Sequence, residues 1–93
     1  MKTIEGFRLR KLGNEYILIG ESMELINFNK MITLNETAAF LWEQAERLTR
    51  EQGSFSANDL YSALCAEYEV STKQAKSDVD ATLSAWLETG VIA

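Results

Sequence analysis

The sequence contains no histidine, no proline and a single cysteine, and its 9 basic residues are outnumbered by 14 acidic ones. Without histidine, a Ser-His or Cys-His nucleophile pair, an imidazole acid–base group and an imidazole metal ligand are excluded. One cysteine is too few for an intramolecular disulfide or a cysteine-rich zinc site. These absences predict a protein that is not an enzyme by itself, holds no metal and uses no cofactor.

The charge balance argues against nucleic acids as partners, and the lack of long apolar runs argues against insertion in a membrane. A net charge of −5 argues against a protein that coats nucleic-acid phosphates, because such proteins carry a basic surface. No segment approaches about 18 consecutive apolar residues, and Met1–Thr3 leads directly into polar sequence, so neither a membrane span nor a signal peptide is predicted. We therefore expect a cytoplasmic protein without nucleic-acid or membrane partners.

The apolar content is sufficient for one hydrophobic core. With 93 residues, 46% of them apolar, the chain corresponds to a single domain over 1–93. A domain of this size buries about 60–70% of the surface that its unfolded chain exposes. The lone cysteine, Cys65, has no neighbouring base to activate it, so we expect it to pack as a small hydrophobic residue.

The first third of the chain is typical of β-strands. Phe7 to Lys11 alternates apolar and basic side chains, and Gly13-Asn14 is a two-residue turn signal, because both positions tolerate positive φ. The continuous apolar run from Tyr16 to Ile19 indicates a strand covered on both faces. Glu24 to Phe28 and Met31 to Leu34 are further candidates, as one bent strand or a small hairpin. The sequence thus predicts a small antiparallel sheet of three to four strands.

After Leu34 the apolar spacing changes to the period of α-helices, about 3.6 residues. Asn35, Ser56 (with Asp59) and Ser71 (with Gln74) predict three helix starts, and Gly90 predicts the last helix end. The predicted apolar stripes are Ala38, Leu41, Trp42, Ala45 and Leu48; Ala57, Leu60, Tyr61, Leu64 and Tyr68; and Ala75, Val79, Leu83, Trp86 and Leu87. Strands followed by three helices imply an α+β fold, with the helices on one face of the sheet.

Two pairs of side chains have both a functional and a structural interpretation. Asp78 and Asp80 are two residues apart on a helix, so their side chains point about 200° apart, which favours a solvated surface over an acid–base or metal pair. Trp42 and Trp86 lie within apolar stripes, which favours core packing; the alternative is that one of them lines a ligand groove.

The segment from Met23 to Leu34 is a candidate sheet edge with few charges, Glu24 and Lys30. Proteins usually protect such edges. One interpretation is therefore an edge covered by the protein's own loops or third helix. The other is an edge open to an added peptide strand, held by backbone hydrogen bonds and flanking pockets.

At this point the sequence shows a family resemblance. The run Ile32-Thr33-Leu34-Asn35-Glu36-Thr37-Ala38-Ala39-Phe40-Leu41-Trp42 resembles the strand-to-helix signature of the PqqD-like family. The resemblance includes the Tyr16–Ile19 strand and continues through Phe55–Leu64, Tyr68-Glu69-Val70, Asp78-Val79 and Leu87–Ile92, which is nearly the whole chain.

This resemblance implies a winged-helix-like domain of the kind called a RiPP recognition element. Such domains bind the leader of a ribosomally made precursor peptide and present it to a modifying enzyme such as a radical SAM protein, as in coenzyme PQQ synthesis. The leader adds to the third strand and packs into a groove against the third helix. Carried over to this chain, the implied edge is either Leu25 to Phe28 or Met31 to Leu34. The implied peptide-binding residues are Leu25, Ile26, Asn27 and Phe28 or Met31, Ile32 and Thr33 on the edge, with Lys76, Val79, Asp80 and Leu83 on the helix.

Two alternatives from other classes remain at this stage. The short connection between the second and third predicted helices is also found in winged-helix DNA-binding regulators, although Lys73 and Lys76 are balanced there by Asp78 and Asp80. The second alternative is a structural domain that uses the same surface to form a homodimer.

Overall fold

The computed structural model describes residues 1–20 and 31–93 and shows strands followed by helices. The elements are β1 (Phe7–Leu12), β2 (Glu15–Gly20), β3 (Met31–Leu34), α1 (Glu36–Gln52), α2 (Ala57–Glu67) and α3 (Thr72–Thr89). The predicted α+β class is confirmed. The strand candidate Glu24–Phe28 lies outside the described residues.

The described strands form one antiparallel sheet in the order β1-β2-β3. The predicted hairpin is confirmed: Gly13 has a φ of 63° in the two-residue turn, and Leu12 pairs with Glu15 directly across it. The register continues to Phe7 opposite Gly20 on one side of β2, and from Leu34 opposite Tyr16 to Met31 opposite Ile19 on the other. Leu18 and Ile17 point to opposite faces of β2 and both are buried, which accounts for its continuous apolar run.

The two faces of the sheet differ in chemistry, because successive side chains of a strand alternate between them. The inner face packs on the helices and carries Phe7, Leu9, Tyr16, Leu18, Ile32 and Leu34. The outer face, on the opposite side, carries Arg8, Arg10, Leu12, Ile17, Ile19, Met31 and Thr33. A strand register shifted by one residue would exchange these two sets, so the buried inner set fixes the register.

The helix starts follow the capping signals in the sequence. The Asn35 side chain accepts a hydrogen bond from the Ala38 N–H at 2.8 Å. Ser56 and Asp59 form the reciprocal capping box, with bonds of 3.1 and 3.0 Å. Ser71 accepts from the Gln74 N–H at 3.1 Å, but the Gln74 side chain donates to Asp78 instead of back to the cap. Each cap satisfies an amide that its helix leaves unpaired.

After the end of α3, the C-terminal residues pair with the N-terminal segment. Gly90 adopts a φ of 83°, and the N–H groups of Gly90 and Val91 both donate to the Trp86 carbonyl, which confirms the predicted cap. The chain then runs antiparallel to the N-terminal segment: Thr3 pairs with Ile92, and Lys2 and Ala93 exchange bonds of 2.8 and 2.9 Å. The polar residues at the N-terminus gave no sequence signal for this pairing.

A single hydrophobic core joins the described sheet and helices. The Trp42 and Trp86 rings meet edge to face within this core, with centroids 5.4 Å apart. The predicted stripes are buried at Leu41, Trp42 and Ala45 in α1, Leu60 and Leu64 in α2, and Ala75, Val79, Leu83 and Trp86 in α3. The predicted stripe is wrong at Leu87, which is 49% exposed because it lies about 100° around the helix from Trp86.

The predicted packing role of Cys65 agrees with its position. Cys65 is half-buried in α2 and packs against the core.

In the described part of the chain, no helix has the length and apolarity that a membrane span requires.

Candidate functional site

The outer edge of β3 offers backbone hydrogen-bonding groups. In the β1–β2 hairpin the two-residue turn makes Leu12 and Glu15 a hydrogen-bonded pair, and such pairs alternate along an antiparallel ladder. Glu15, Ile17 and Ile19 therefore direct their N–H and C=O groups to β1. Tyr16 and Leu18 direct theirs to β3.

The same alternation fixes which groups of β3 face outward. Leu34 lies opposite Tyr16 and Ile32 opposite Leu18, so these two β3 residues bond to β2. Met31 and Thr33 lie between them and point their N–H and C=O groups away from the sheet. Among residues 1–20 and 31–93, no strand pairs with this outer edge.

A groove runs beside this edge, between β3 and α3. Its volume is about 330 Å³, at the lower end of the range of about 300–1,000 Å³ that ligand pockets occupy. The lining residues are Ile32, Thr33, Leu34, Ala38, Ala81, Thr82, Ala85, Trp86 and Thr89. None of them is charged, so the groove favours uncharged side chains of a ligand.

The helical wall of the groove is made of small side chains. Ala81, Ala85 and Thr89 are spaced by four residues and therefore share one face of α3. Ala81 and Ala85 are exposed, and their methyl groups leave the space that larger side chains would fill. The hydroxyls of Thr82 and Thr89 donate to carbonyls of their own helix at 2.8 and 3.0 Å, so their protons are already engaged. The wall therefore presents a mainly apolar surface.

Trp86 connects the groove to the core. It is 3% exposed, it lines the groove, and its ring packs against Trp42. Trp42 itself is in the core, 1% exposed. Both tryptophans therefore pack in the core, and Trp86 also lines the groove.

The predicted edge residues lie at the site in part. Met31 and Thr33 are exposed on the outer face of β3, and Ile32 is half-buried on the inner face at the groove. Leu25, Ile26, Asn27 and Phe28 lie outside the described residues.

The predicted helix residues lie on other faces of α3. Val79 and Leu83 are 0% and 5% exposed and belong to the core beneath the sheet. The Asp80 carboxylate accepts a hydrogen bond from the Tyr61 hydroxyl of α2, which places it on the flank toward α2. Lys76, four residues before Asp80, lies on the same flank. The face of α3 that lines the groove beside β3 carries Ala81 and Ala85 instead, and peptide binding by the four predicted helix residues stays a prediction.

The helical wall of the groove is not evident from the sequence, because small residues carry little apolar signal. Ala81, Ala85 and Thr89 do repeat at the four-residue spacing of one helix face, beside the apolar stripe that ends at Trp86. A search for small residues flanking a core stripe would have found this face. The stripe alone does not show that a strand edge runs alongside it.

The two aspartates of α3 diverge as expected. Asp78 accepts from Gln74 within its own helix at 2.8 Å, whereas Asp80 is bonded to Tyr61. No group of three acidic or cysteine side chains suitable for a metal ion occurs over 1–20 and 31–93.

The hydrogen bond from Tyr61 gives a pH-dependent prediction. Hydrogen bonding to Asp80, partial desolvation and the Asp80 charge raise the pKa of Tyr61 above its ordinary value, since all three favour the neutral phenol. The contribution to stability is present below about pH 10 and is lost as pH rises through the raised pKa. Asp80→Asn is expected to lower the Tyr61 pKa, measured by tyrosine-resolved NMR titration. Asp78→Asn is the control and leaves it unchanged; an unchanged pKa in Asp80→Asn would contradict the contact.

A second cleft of about 970 Å³ lies between the N-terminal segment and α1. Its lining includes Lys2, Arg8 and Arg50 but also Glu5 and Glu46. Side chains of both signs around an open cleft select no ligand charge, and the cleft is not bordered by the outer edge of β3. The groove beside β3 is therefore the stronger candidate site.

Comparisons with known proteins identify a family and two structures of the same fold. A family model described as coenzyme PQQ synthesis protein D (PqqD) matches residues 15–92, which includes β2, β3 and all three described helices. No curated protein is similar enough to the sequence to count as a match.

Two solved structures share the fold. One is TbiB1 in complex with the TbiA(beta) leader peptide, with a TM-score of 0.73, 18% identity, and coverage of 99% of this chain and 94% of that chain. The other is a lasso peptide synthetase B1 complexed with the leader peptide, with a TM-score of 0.70, 22% identity, and coverage of 99% and 95%. At these identities the similarity establishes the common fold.

Proposed function

The chain belongs to the PqqD family, and from this premise we propose that it binds the leader of a ribosomally made precursor peptide by adding it as a strand to β3. The observation that carries the proposal is the outer edge of β3, where Met31 and Thr33 direct backbone groups away from the sheet. An extended peptide satisfies such groups with main-chain hydrogen bonds, and pockets for alternate side chains supply specificity.

The groove provides such a pocket. Ile32 lies on the inner face of β3 and lines the groove, so the peptide residue opposite Ile32 points its side chain into the same space. The uncharged lining favours a bulky apolar side chain there, because an unpaired charge loses solvation on burial. Both fold neighbours were solved with leader peptides, which supports this class of ligand.

We infer that the protein acts as an adaptor and not as a catalyst. The sequence lacks histidine, and the described groove is lined by apolar and hydroxyl side chains without a general base. An adaptor requires a second partner, which we propose is the enzyme that modifies the precursor, such as a radical SAM protein. Precursors are made by ribosomes, so the proposal places the protein in the cytoplasm.

The proposal is tested by titration with leader peptides from the precursor genes nearest to this chain's gene. Fluorescein-labelled peptides are followed by anisotropy, and the site is mapped by NMR chemical shifts. We expect saturable binding with shifts at β3 and at the α3 face carrying Ala81 and Ala85. No binding by any of these peptides would contradict the proposal. Salt-dependent binding of duplex DNA would favour the regulator alternative, and mass growth in light scattering would favour self-association.

A filled groove is expected to weaken binding. Ala85→Leu places a larger side chain in the groove and is expected to raise the peptide Kd about tenfold or more, as extra methylenes do in a packed site. Ser84→Leu is the matched control: Ser84 is exposed on α3 and does not line the groove. Equal affinities of the two variants in the anisotropy titration would show that the groove is not used.

A further inference from the structure

Met31 is an exposed apolar side chain on the face of the sheet opposite the groove. Its exposed fraction is 67%, the highest among the large hydrophobic side chains of the described residues. It lies on the outer face of β3, whereas Ile32 and Leu34 occupy the inner face. Nothing in the groove accounts for an apolar side chain at this position.

Among the described residues, the direct neighbours of Met31 on the outer face of β2 and β3 are uncharged, and Arg8 and Arg10 lie beyond Ile19 and Ile17, on β1. Ile19 is the direct cross-strand partner of Met31 in β2. Ile17 is the next β2 residue on the same face and lies opposite Thr33. Ile19 is half-buried and Ile17 is 9% exposed, although neither faces the helices. Met31 therefore stands at the open edge of an apolar strip formed by Ile17, Ile19 and its own side chain.

A strand added at the outer edge of β3 would have its own side chains on both faces. Residues opposite Met31 and Thr33 project on the outer face, and the residue opposite Ile32 projects into the groove. Directly opposed side chains of an antiparallel pair lie about 4.5–5.5 Å apart, within contact distance of methionine. The side chain of Met31 is thus placed to touch the peptide residues that the groove does not.

Resting on the proposed function, we propose that Met31 forms a second subsite, so that the peptide is recognised on both faces of the added strand. The ligand class at this subsite is an uncharged, apolar side chain, because the neighbouring side chains of β2 and β3 are Ile17, Ile19 and Thr33. Methionine is flexible and polarisable, so it adapts to apolar side chains of different shapes. The groove, in contrast, is walled on its helical side by alanine and threonine side chains and selects more by size.

The experiment combines three protein variants with a peptide scan. Met31→Ala, Ala85→Leu and the control Leu12→Ala are titrated with the leader peptide that binds the unmodified protein, and with versions of that peptide carrying alanine at single positions. Leu12 is a suitable control because it is 56% exposed on the same outer face, but on β1, which is separated from β3 by β2. Coupling between protein and peptide changes is obtained from double-mutant cycles.

We expect Met31→Ala to weaken binding about threefold, within the range of cross-strand side-chain pairs, and Leu12→Ala to leave it unchanged. Peptide positions coupled to Met31 should alternate with those coupled to Ala85. Equal effects of Met31→Ala and Leu12→Ala, or coupling of Met31 and Ala85 to the same peptide positions, would overturn the subsite. These outcomes leave strand addition intact. Failure of the proposed function is seen separately, as absence of binding to the unmodified protein.

Discussion

Thr33→Pro is expected to weaken peptide binding by about one to two orders of magnitude while the domain stays folded. The Thr33 N–H points away from β2 in the antiparallel register, so replacing it by proline removes no bond within the sheet. The same change removes a donor that the added strand needs. A peptide carbonyl left unsatisfied in the complex costs about 1–3 kcal/mol.

Two controls separate the backbone from other effects. Thr33→Ala keeps the N–H and is expected to bind within about threefold of the unmodified protein, since it changes only an exposed side chain. Ile32→Pro removes an N–H that pairs with Leu18 and is expected to lower the melting temperature. Circular dichroism measures the melting temperature of each variant, and fluorescence anisotropy measures its affinity for the peptide. Retained affinity in a folded Thr33→Pro variant would show that the peptide does not use this edge.

Trp42→Ala is expected to lower the free energy of unfolding by about 3–5 kcal/mol, the range for truncating a large buried aromatic side chain. Trp42 is 1% exposed and packs edge to face on Trp86. A domain of this size has a total stability of about 5–15 kcal/mol, so the loss is a large fraction of it. Since Trp86 packs on Trp42 and also lines the groove, we expect peptide binding to weaken as well.

Trp42→Phe is the informative control for that prediction. The indole Nε1 of Trp42 is buried and has no hydrogen-bond partner among the described residues. Phenylalanine keeps an aromatic ring and removes this unsatisfied donor, so the loss in stability is expected to be clearly smaller than for alanine. Urea denaturation measures both variants. A Trp42→Ala protein as stable as the unmodified one would contradict the central position of this ring in the core.

Local signals predicted much of the fold because the features they describe are themselves local. Gly13-Asn14 forms its turn within a few residues, and the caps at Asn35 and Ser56 depend on amides three residues away. The α3 stripe from Ala75 to Trp86 follows from helical periodicity. These elements needed no knowledge of distant parts of the chain.

The site could be predicted only in part because it depends on contacts between distant elements. The sequence does not say which flank of α3 faces β3, so it does not separate Lys76 and Asp80 from the residues that line the groove. The Tyr61 hydrogen bond places Asp80 on the flank toward α2. Ala81 and Ala85 acquire their role only when β3 lies beside them. Long-range pairing, such as that of Thr3 with Ile92, leaves no local pattern either.

Amide hydrogen exchange at β3, with and without bound leader peptide, tests the central claim most directly. Ile32 and Leu34 already bond to β2, so their amides should be protected in the free protein and stay so. The account predicts that peptide binding newly protects the Met31 and Thr33 amides, in alternation with those two. Saturating peptide that leaves the exchange of Thr33 unchanged would contradict strand addition at β3.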